Sequence, residues 1–398
     1  MIPNIDFEIG ISVYSTNFKG CGGKIRTHVE DFQVSEILSK KAMAAISQEG
    51  NYAVYKLKKQ GIDTNHSLSN IFKKHNLRLK SLGLKDASAV TEQFVYSEKK
   101  IKFIDCISEK KYSIKRIGFV KKPLSKKEMI GNQFKIRIID ASNEIEKFNE
   151  YKKILNFYGY QRFGSKRPVT HLIGKALIQK DYEKAIHFLL TYRSKYDSAE
   201  NSKLREKLSD RSNFSKLLPE IPFQMDLERA VVNEMIQDEN PKNALRVIPL
   251  NIRRFFVQAY QSFLFNKTLS AAFADGEELF LPQQGDVCYD KNGNLGKFSN
   301  DPDQRLSLPF VGYAYYKKTR FNYQISKILE SEEVSPKDFF LKEMQELSNE
   351  GGFRNSSIKC EDIKATQNMI TFTLSRGSFA TIMLREIMKP EDPILAGF

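Results

Sequence analysis

The chain has no tryptophan, and its 398 residues include only four cysteines and five histidines. Cys21, Cys106, Cys288 and Cys360 lie far apart, with no Cys-x-x-Cys pair and no histidine at metal-ligand spacing, which argues against a zinc site. His28, His66, His75, His171 and His187 are equally scattered, and each reads as a surface or capping residue. No metal is expected. No stretch approaches the roughly 18 consecutive apolar residues of a membrane-spanning helix. The N-terminus, Met1 to Glu8, lacks the basic start and apolar run of a secretory signal. The expectation is a cytoplasmic protein with no membrane partner. Internal repeats and low-complexity segments are also missing.

What is present is a globular composition with an excess of positive charge. At roughly 150 residues per domain, the length suggests two domains. Sixty-three Lys and Arg against 48 Asp and Glu give a formal charge of +15, which attracts polyanions and makes nucleic acid the leading partner class. Eleven basic and two acidic residues fall between Lys99 and Lys127, interleaved with Phe103, Ile104, Tyr112, Ile114, Ile117 and Phe119. That alternation predicts strands with one wet, positive face, although a solvated face with no ligand has the same pattern.

Periodicity divides the chain. Phe32 to Glu36, Tyr52 to Leu57, Val90 to Tyr96, Tyr112 to Val120 and Gln133 to Ile139 read as strands, with Leu82 and Leu84 closing another. Asp63 offers an N-cap to a helix carrying Leu68, Ile71, Phe72 and His75, and Glu144 to Leu155 has a helical pattern. From Pro168 to about Gln345 helical patterns dominate, above all Ile252 to Phe273. Met369 to Leu374 then returns as a strand, followed by a helix from Phe379 to Met388. A strand and helix after a helical block imply an inserted domain. The expected fold is α+β, with residues 1–165 and 346–398 forming one domain and 166–345 the insertion.

Two stretches stand out. Gly83-Leu84-Lys85-Asp86 sets a lone acid in a tight turn before a strand. By itself such an Asp is most often an N-cap or turn residue. Asn156-Phe157-Tyr158-Gly159-Tyr160-Gln161-Arg162-Phe163-Gly164 encloses a dense aromatic cluster and one arginine between glycines.

Together with Phe32 in Val-Glu-Asp-Phe-Gln-Val-Ser-Glu-Ile, and with Ala89 to Gln93, these stretches resemble, in order, the motifs of the TruD family of tRNA pseudouridine synthases. Gly131 to Phe134, Gln261 to Asn266, and Arg376 to Thr381 continuing through Glu386 resemble it too. The resemblance spans nearly the whole chain. It implies a pseudouridine synthase fold with a mixed, largely antiparallel sheet, an inserted mostly helical domain that helps form an RNA-binding cleft, and isomerisation of a uridine in the D-arm of tRNA, conventionally position 13. It also implies that Asp86 is the catalytic residue, supported by Phe32, Asn156, Tyr158 and Phe379.

Isomerising uridine cuts N1–C1′, turns the uracil over and rejoins it through C5, without redox chemistry, so no cofactor is expected. A carboxylate acts either as nucleophile or as base toward C2′, and the residues leave both open. An enclosed carboxylate needs a nearby cation to stay ionised. Arg26 is the candidate, six positions before Phe32 where the family has a basic residue, often Lys; Lys24 is an alternative. The flipped uracil calls for aromatic faces, matched by Phe32, Tyr158 and Phe379. Tyr158 stands where the family usually has Phe, which leaves the group that removes the C5 proton open. Asn156 is expected to position the catalytic loop. Lys85, Arg162, Lys115, Arg116, Lys121 and Lys122 are expected RNA contacts, and a monomer is favoured. Competing readings are a non-catalytic RNA-binding protein of the same fold, and a nucleoside or glycoside hydrolase using Asp86, for which no second carboxylate is marked out.

Overall fold

The computed structural model describes residues 1–85, 87–98 and 104–398. They form two compact units, one built from Met1–Ser15 with Leu155–Ser357 and the other from Thr16–Ile154 with Ile358–Phe398. Sequence periodicity placed the divisions near 165 and 345; the packing divides the chain after 154 and 357. It also gathers the first fifteen residues with the interior segment. Their backbone is captured by buried polar side chains: Asn266 Nδ2 donates to Ile9 O at 3.0 Å and Ser270 Oγ to Gly10 O at 3.1 Å. Such long-range capture leaves no trace in local periodicity.

The unit formed by 16–154 and 358–398 is α+β. Its nine-stranded sheet comprises β1 (Phe32–Leu38), β2 (Tyr52–Lys59), β3 (Lys80–Ser81), β4 (Val90–Glu98), β5 (Cys106–Ser108), β6 (Tyr112–Val120), β7 (Met129–Arg137), β8 (Glu361–Thr366) and β9 (Met369–Ser375). The order is β8-β9-β7-β1-β4-β2-β6-β5, with β3 beside β4. Only β1 and β4 run parallel. Alternation sorts side chains to two faces. Ala53, Tyr55, Leu57 and Val95 pack with Ile71 of the helix Thr64–His75, while Val54 and Phe94 pack with Leu38, Leu82 and Met129. Asp63 caps that helix as expected, its carboxylate accepting from the His66 N–H at 3.0 Å.

Two local expectations fail. The 144–155 pattern forms a 3₁₀ segment, Asn143–Glu150, and then the strand Lys153–Leu155, which pairs with the distant strand Ser357–Lys359. Leu84 does not close a buried strand: β3 ends at Ser81, Leu82 is buried, and Leu84 is 68 % exposed.

The other unit is mostly helical around Leu250–Ala274, with a four-stranded sheet of Val287–Tyr289, Leu295–Lys297, Arg305–Phe310 and Gly352–Asn355. The helix Thr170–Ile178 crosses the long helix at Gly174, where a Cβ would lie 2.0 Å from Phe256 O. Only glycine permits that approach. His171, expected at the surface, is instead buried in this contact, stacked on Phe263 at 4.9 Å and edge-on to Phe163 at 5.4 Å. Burial pulls its pKa down to about 3, since a charged imidazole would lose its hydration there.

Candidate active site

The candidate residues divide between the two units. In the first, Arg26 precedes β1 with a left-handed backbone, φ 58°. A non-glycine residue in that region costs of order 1–3 kcal/mol and persists only where its neighbours impose it. Here Lys24 exchanges both backbone bonds with Ile139 at 2.8 Å, and Ile25 N–H donates to Ala396 O at 2.9 Å. The Arg26 guanidinium sits 4.3 Å from the centre of the Phe32 ring, whereas the Lys24 side chain is exposed. Geometry therefore favours Arg26 over Lys24 as the cation fixed at the start of β1.

Phe32 is only 3 % exposed, edge-on to Phe134 at 6.2 Å, which stacks on Phe372 at 5.2 Å. With Arg26 on one face and packed rings beside it, Phe32 supports the guanidinium. Phe379 is half-buried and precedes the helix Ala380–Met388. It follows β9, whose Ser375 pairs with Gly131, which in turn pairs with Ile37 near the end of β1. Phe32, by contrast, opens β1.

Asp86 lies outside the described residues, but both sides of it are fixed. After it, the parallel register of Gln33 with Val90 brings the start of β4 beside the start of β1. Before it, Lys85 turns inward. Its Nζ is 3.0 Å from Glu36 Oε1, the two side chains being 8 % and 0 % exposed, and Glu36 Oε2 accepts the Phe94 N–H at 2.9 Å. Lys85, expected to meet RNA, is thus an internal ion pair. The alternation of β1 put Glu36 on the buried face, a signal that a partner was needed. Lys59, Thr64 and Gln93 are buried around the same turn, at 1 %, 1 % and 0 % exposure.

In the second unit, Asn156 uses both ends of its amide: Nδ2 donates to Asn355 O at 3.0 Å, and Oδ1 accepts from Arg354 Nη2 at 2.8 Å. Arg354 Nε also donates to Asn156 O at 3.2 Å. Two residues along, Tyr158 N–H donates to Asn266 Oδ1 at 2.8 Å and its carbonyl accepts from Asn266 Nδ2 at 3.1 Å. Arg354 lies 3.9 Å and Arg162 5.2 Å from the Tyr158 ring centre, with Phe265 edge-on at 5.8 Å. The face under Arg354 is closed to any other stacking partner. Burial lowers the pKa of both guanidinium groups from the ordinary value, and for both the Tyr158 phenol opposes the shift. Arg162 also packs on Phe255 at 5.0 Å. Arg354 and Asn266 were not singled out from sequence; Arg354 stands 198 positions from Asn156.

The basic stretch runs along the far side of the sheet. Lys115 on β6, and Lys121 and Lys122 just after it, are exposed, and β2 separates β6 from β4. Arg116 is engaged, its Nε 2.9 Å from Asp105 Oδ1 and its guanidinium 4.8 Å from the Phe119 ring centre. Lys99, Lys100, Lys102 and Phe103 lie outside the described residues. Among the described residues no cluster of His, Cys, Asp and Glu is arranged to hold a metal, and no helix is long and apolar enough to cross a membrane. Burial pushes the Cys21 and Cys360 thiols up to about 12, so neither is a nucleophile near neutral pH.

A mixed, mainly antiparallel sheet interrupted in sequence by a helical unit is the fold of a pseudouridine synthase. The crystal structure of the TruD protein from Methanosarcina mazei superposes with a TM-score of 0.80, at 27% identity and covering 99% of each chain. A protein named "Probable tRNA pseudouridine synthase D" from Methanosarcina acetivorans is 31% identical over 444 residues, covering 99% of this chain and 98% of its own. One of the same name from Pyrobaculum islandicum is 30% identical over 416 residues, covering 100% and 99%. The family model described as tRNA pseudouridine synthase D matches residues 8–387. The chain belongs to the TruD family, enzymes that isomerise uridine in tRNA.

Proposed function

We propose that the chain converts uridine 13 in the D-arm of tRNA to pseudouridine, with Asp86 as the reacting carboxylate. What carries this reading is the convergence on one turn: a strained Arg26 stacked on Phe32 opens β1, and the parallel partner of β1 is the strand that follows Asp86. Arg26 supplies the positive charge that keeps a desolvated carboxylate ionised. Either as nucleophile or as base toward C2′, the carboxylate enables cleavage of N1–C1′. The detached uracil then turns, and C5 joins C1′ as the carboxylate leaves C1′ or, on the other route, as the proton returns to C2′. The C5 proton is lost to solvent and N1 takes one up, so substrate and product are isomers and the reaction needs no oxidant and no activated donor. On the resemblance, Tyr158 and Phe379 offer aromatic faces to the flipped uracil and Asn156 positions its own loop, while Lys115, Lys121 and Lys122 hold phosphates. Cytoplasm is the compartment this substrate implies.

The position is tested with transcripts carrying tritium at uracil C5, one of natural sequence and one with cytidine at position 13. Loss of tritium release from the substituted transcript supports the reading; undiminished release places the target elsewhere.

A further inference from the structure

We propose that Lys59, Thr64 and Gln93 form a polar clamp that positions the Asp86 turn for reaction. The proposal rests on Asp86 being the reacting carboxylate. None of the three touches the base in this account; they are positioning residues that act through the backbone on either side of Lys85.

Lys59 ends β2 on its inward face, in line with Tyr55 and Leu57, and is 1 % exposed. Lysine is almost never so buried unless its ammonium is bonded, because desolvating the charge is costly. Its Nζ donates to Lys85 O at 3.1 Å and to Ile62 O at 2.9 Å. The Lys85 carbonyl is the one joined to the nitrogen of Asp86. Ile62 immediately precedes Asp63, the cap of the helix Thr64–His75. One ammonium therefore ties the peptide entering Asp86 to the start of a helix and the end of a strand.

Thr64 completes the hold on that residue. Its Oγ1 accepts the Lys85 N–H at 2.9 Å and donates to Gln93 Oε1 at 2.8 Å. The other end of the Gln93 amide, Nε2, donates to Gly83 O at 3.0 Å. Gln93 is an inward residue of β4 with no exposure. Gly83 O is held by Gln93, Lys85 N by Thr64, and Lys85 O by Lys59 with Thr64 Oγ1 also 3.3 Å away, and each of these side chains stands on a regular element. Leu84, between them, is 68 % exposed and anchors nothing. The turn is ordered there by directional bonds rather than by apolar packing, which suits a segment whose next residue must be placed to within a fraction of an ångström.

The test measures kcat and KM for tritium release from tRNA, with thermal melting of each variant. Thr64→Val keeps the shape and removes both bonds; it is expected to lower kcat about 10- to 100-fold, the cost of misplacing a reacting group, with KM within about threefold. Thr64→Ser, which restores the hydroxyl, should recover most of kcat. Lys59→Met should lose more. A folded Thr64→Val enzyme with wild-type kcat overturns the clamp, as does a Thr64→Ser enzyme no better than Thr64→Val, or losses that merely follow the folded fraction. Asp86→Asn is run beside them. Activity retained there overturns the underlying assignment, whereas loss there with wild-type kcat in Thr64→Val overturns the clamp alone.

Discussion

The two charged regions of the sheet, the turn beside β4 and the basic stretch of β6, lie on strands separated only by β2, yet use charge in opposite ways. Around the turn, Glu36, Lys59 and Lys85 are buried and each has a fixed partner. Lys115 on β6, and Lys121 and Lys122 just after it, are exposed to water. Buried charge is rigid and costly, and so is suited to placing a reacting group; exposed charge acts at a distance and is suited to attracting a polyanion. Changes in the first region should therefore alter turnover or folding, and changes in the second should alter affinity.

The largest effect expected is on chemistry: Asp86→Asn should reduce isomerisation by about 10³-fold or more while tRNA affinity stays within a few-fold, measured by turnover and by filter binding. Next comes folding. Glu36→Ala leaves the Lys85 ammonium buried without its carboxylate, and should destabilise the protein by about 3 kcal/mol or more in denaturant unfolding. Changing Lys115, Lys121 and Lys122 together to Gln should leave saturating turnover unchanged but weaken binding. The slope of log affinity against log salt should fall by up to about 2 to 3, and an unchanged slope would place the RNA elsewhere.

The smallest effect lies outside both regions. His171 has a folded pKa of about 3 against an ordinary 6.5, so the unfolded chain binds a proton that the folded chain refuses. Its contribution to stability is present above 6.5 and is lost as pH falls toward 3. Melting scans from pH 7 to pH 4.5 should show a drop in midpoint that is smaller in His171→Phe.

Much of the sheet was legible because Phe32 to Glu36 and Tyr52 to Leu57 alternate and Val90 to Tyr96 is rich in β-branched and aromatic residues, and Asp63 caps its helix in the expected way. The acid read in the turn before β4 is Asp86, outside the described residues; what surrounds Lys85 beside it was not legible. Lys59 was the available clue, a lysine in phase with Tyr55 and Leu57 on an inward face, yet nothing local says which carbonyls it meets. Lys85 read as an RNA contact because charge in a motif looks exposed, yet tertiary packing turned its side chain inward onto Glu36; Arg162 is half-buried, stacked on Tyr158 and Phe255. Arg354 was beyond reach, since its bond to Asn156 closes a loop of 198 residues. Sequence pattern reports which face a residue takes, not which distant group completes it.

The central claim is that the turn after Lys85 carries the reacting carboxylate. It is tested by incubating the wild-type protein and Asp86→Asn with unmodified tRNA transcripts labelled with tritium at uracil C5, and following release of the label. Isomerisation leaves the mass of the RNA unchanged, so the label reports what mass cannot. Release by the wild type with none by the variant is the predicted result; equal release by a folded Asp86→Asn protein would contradict it.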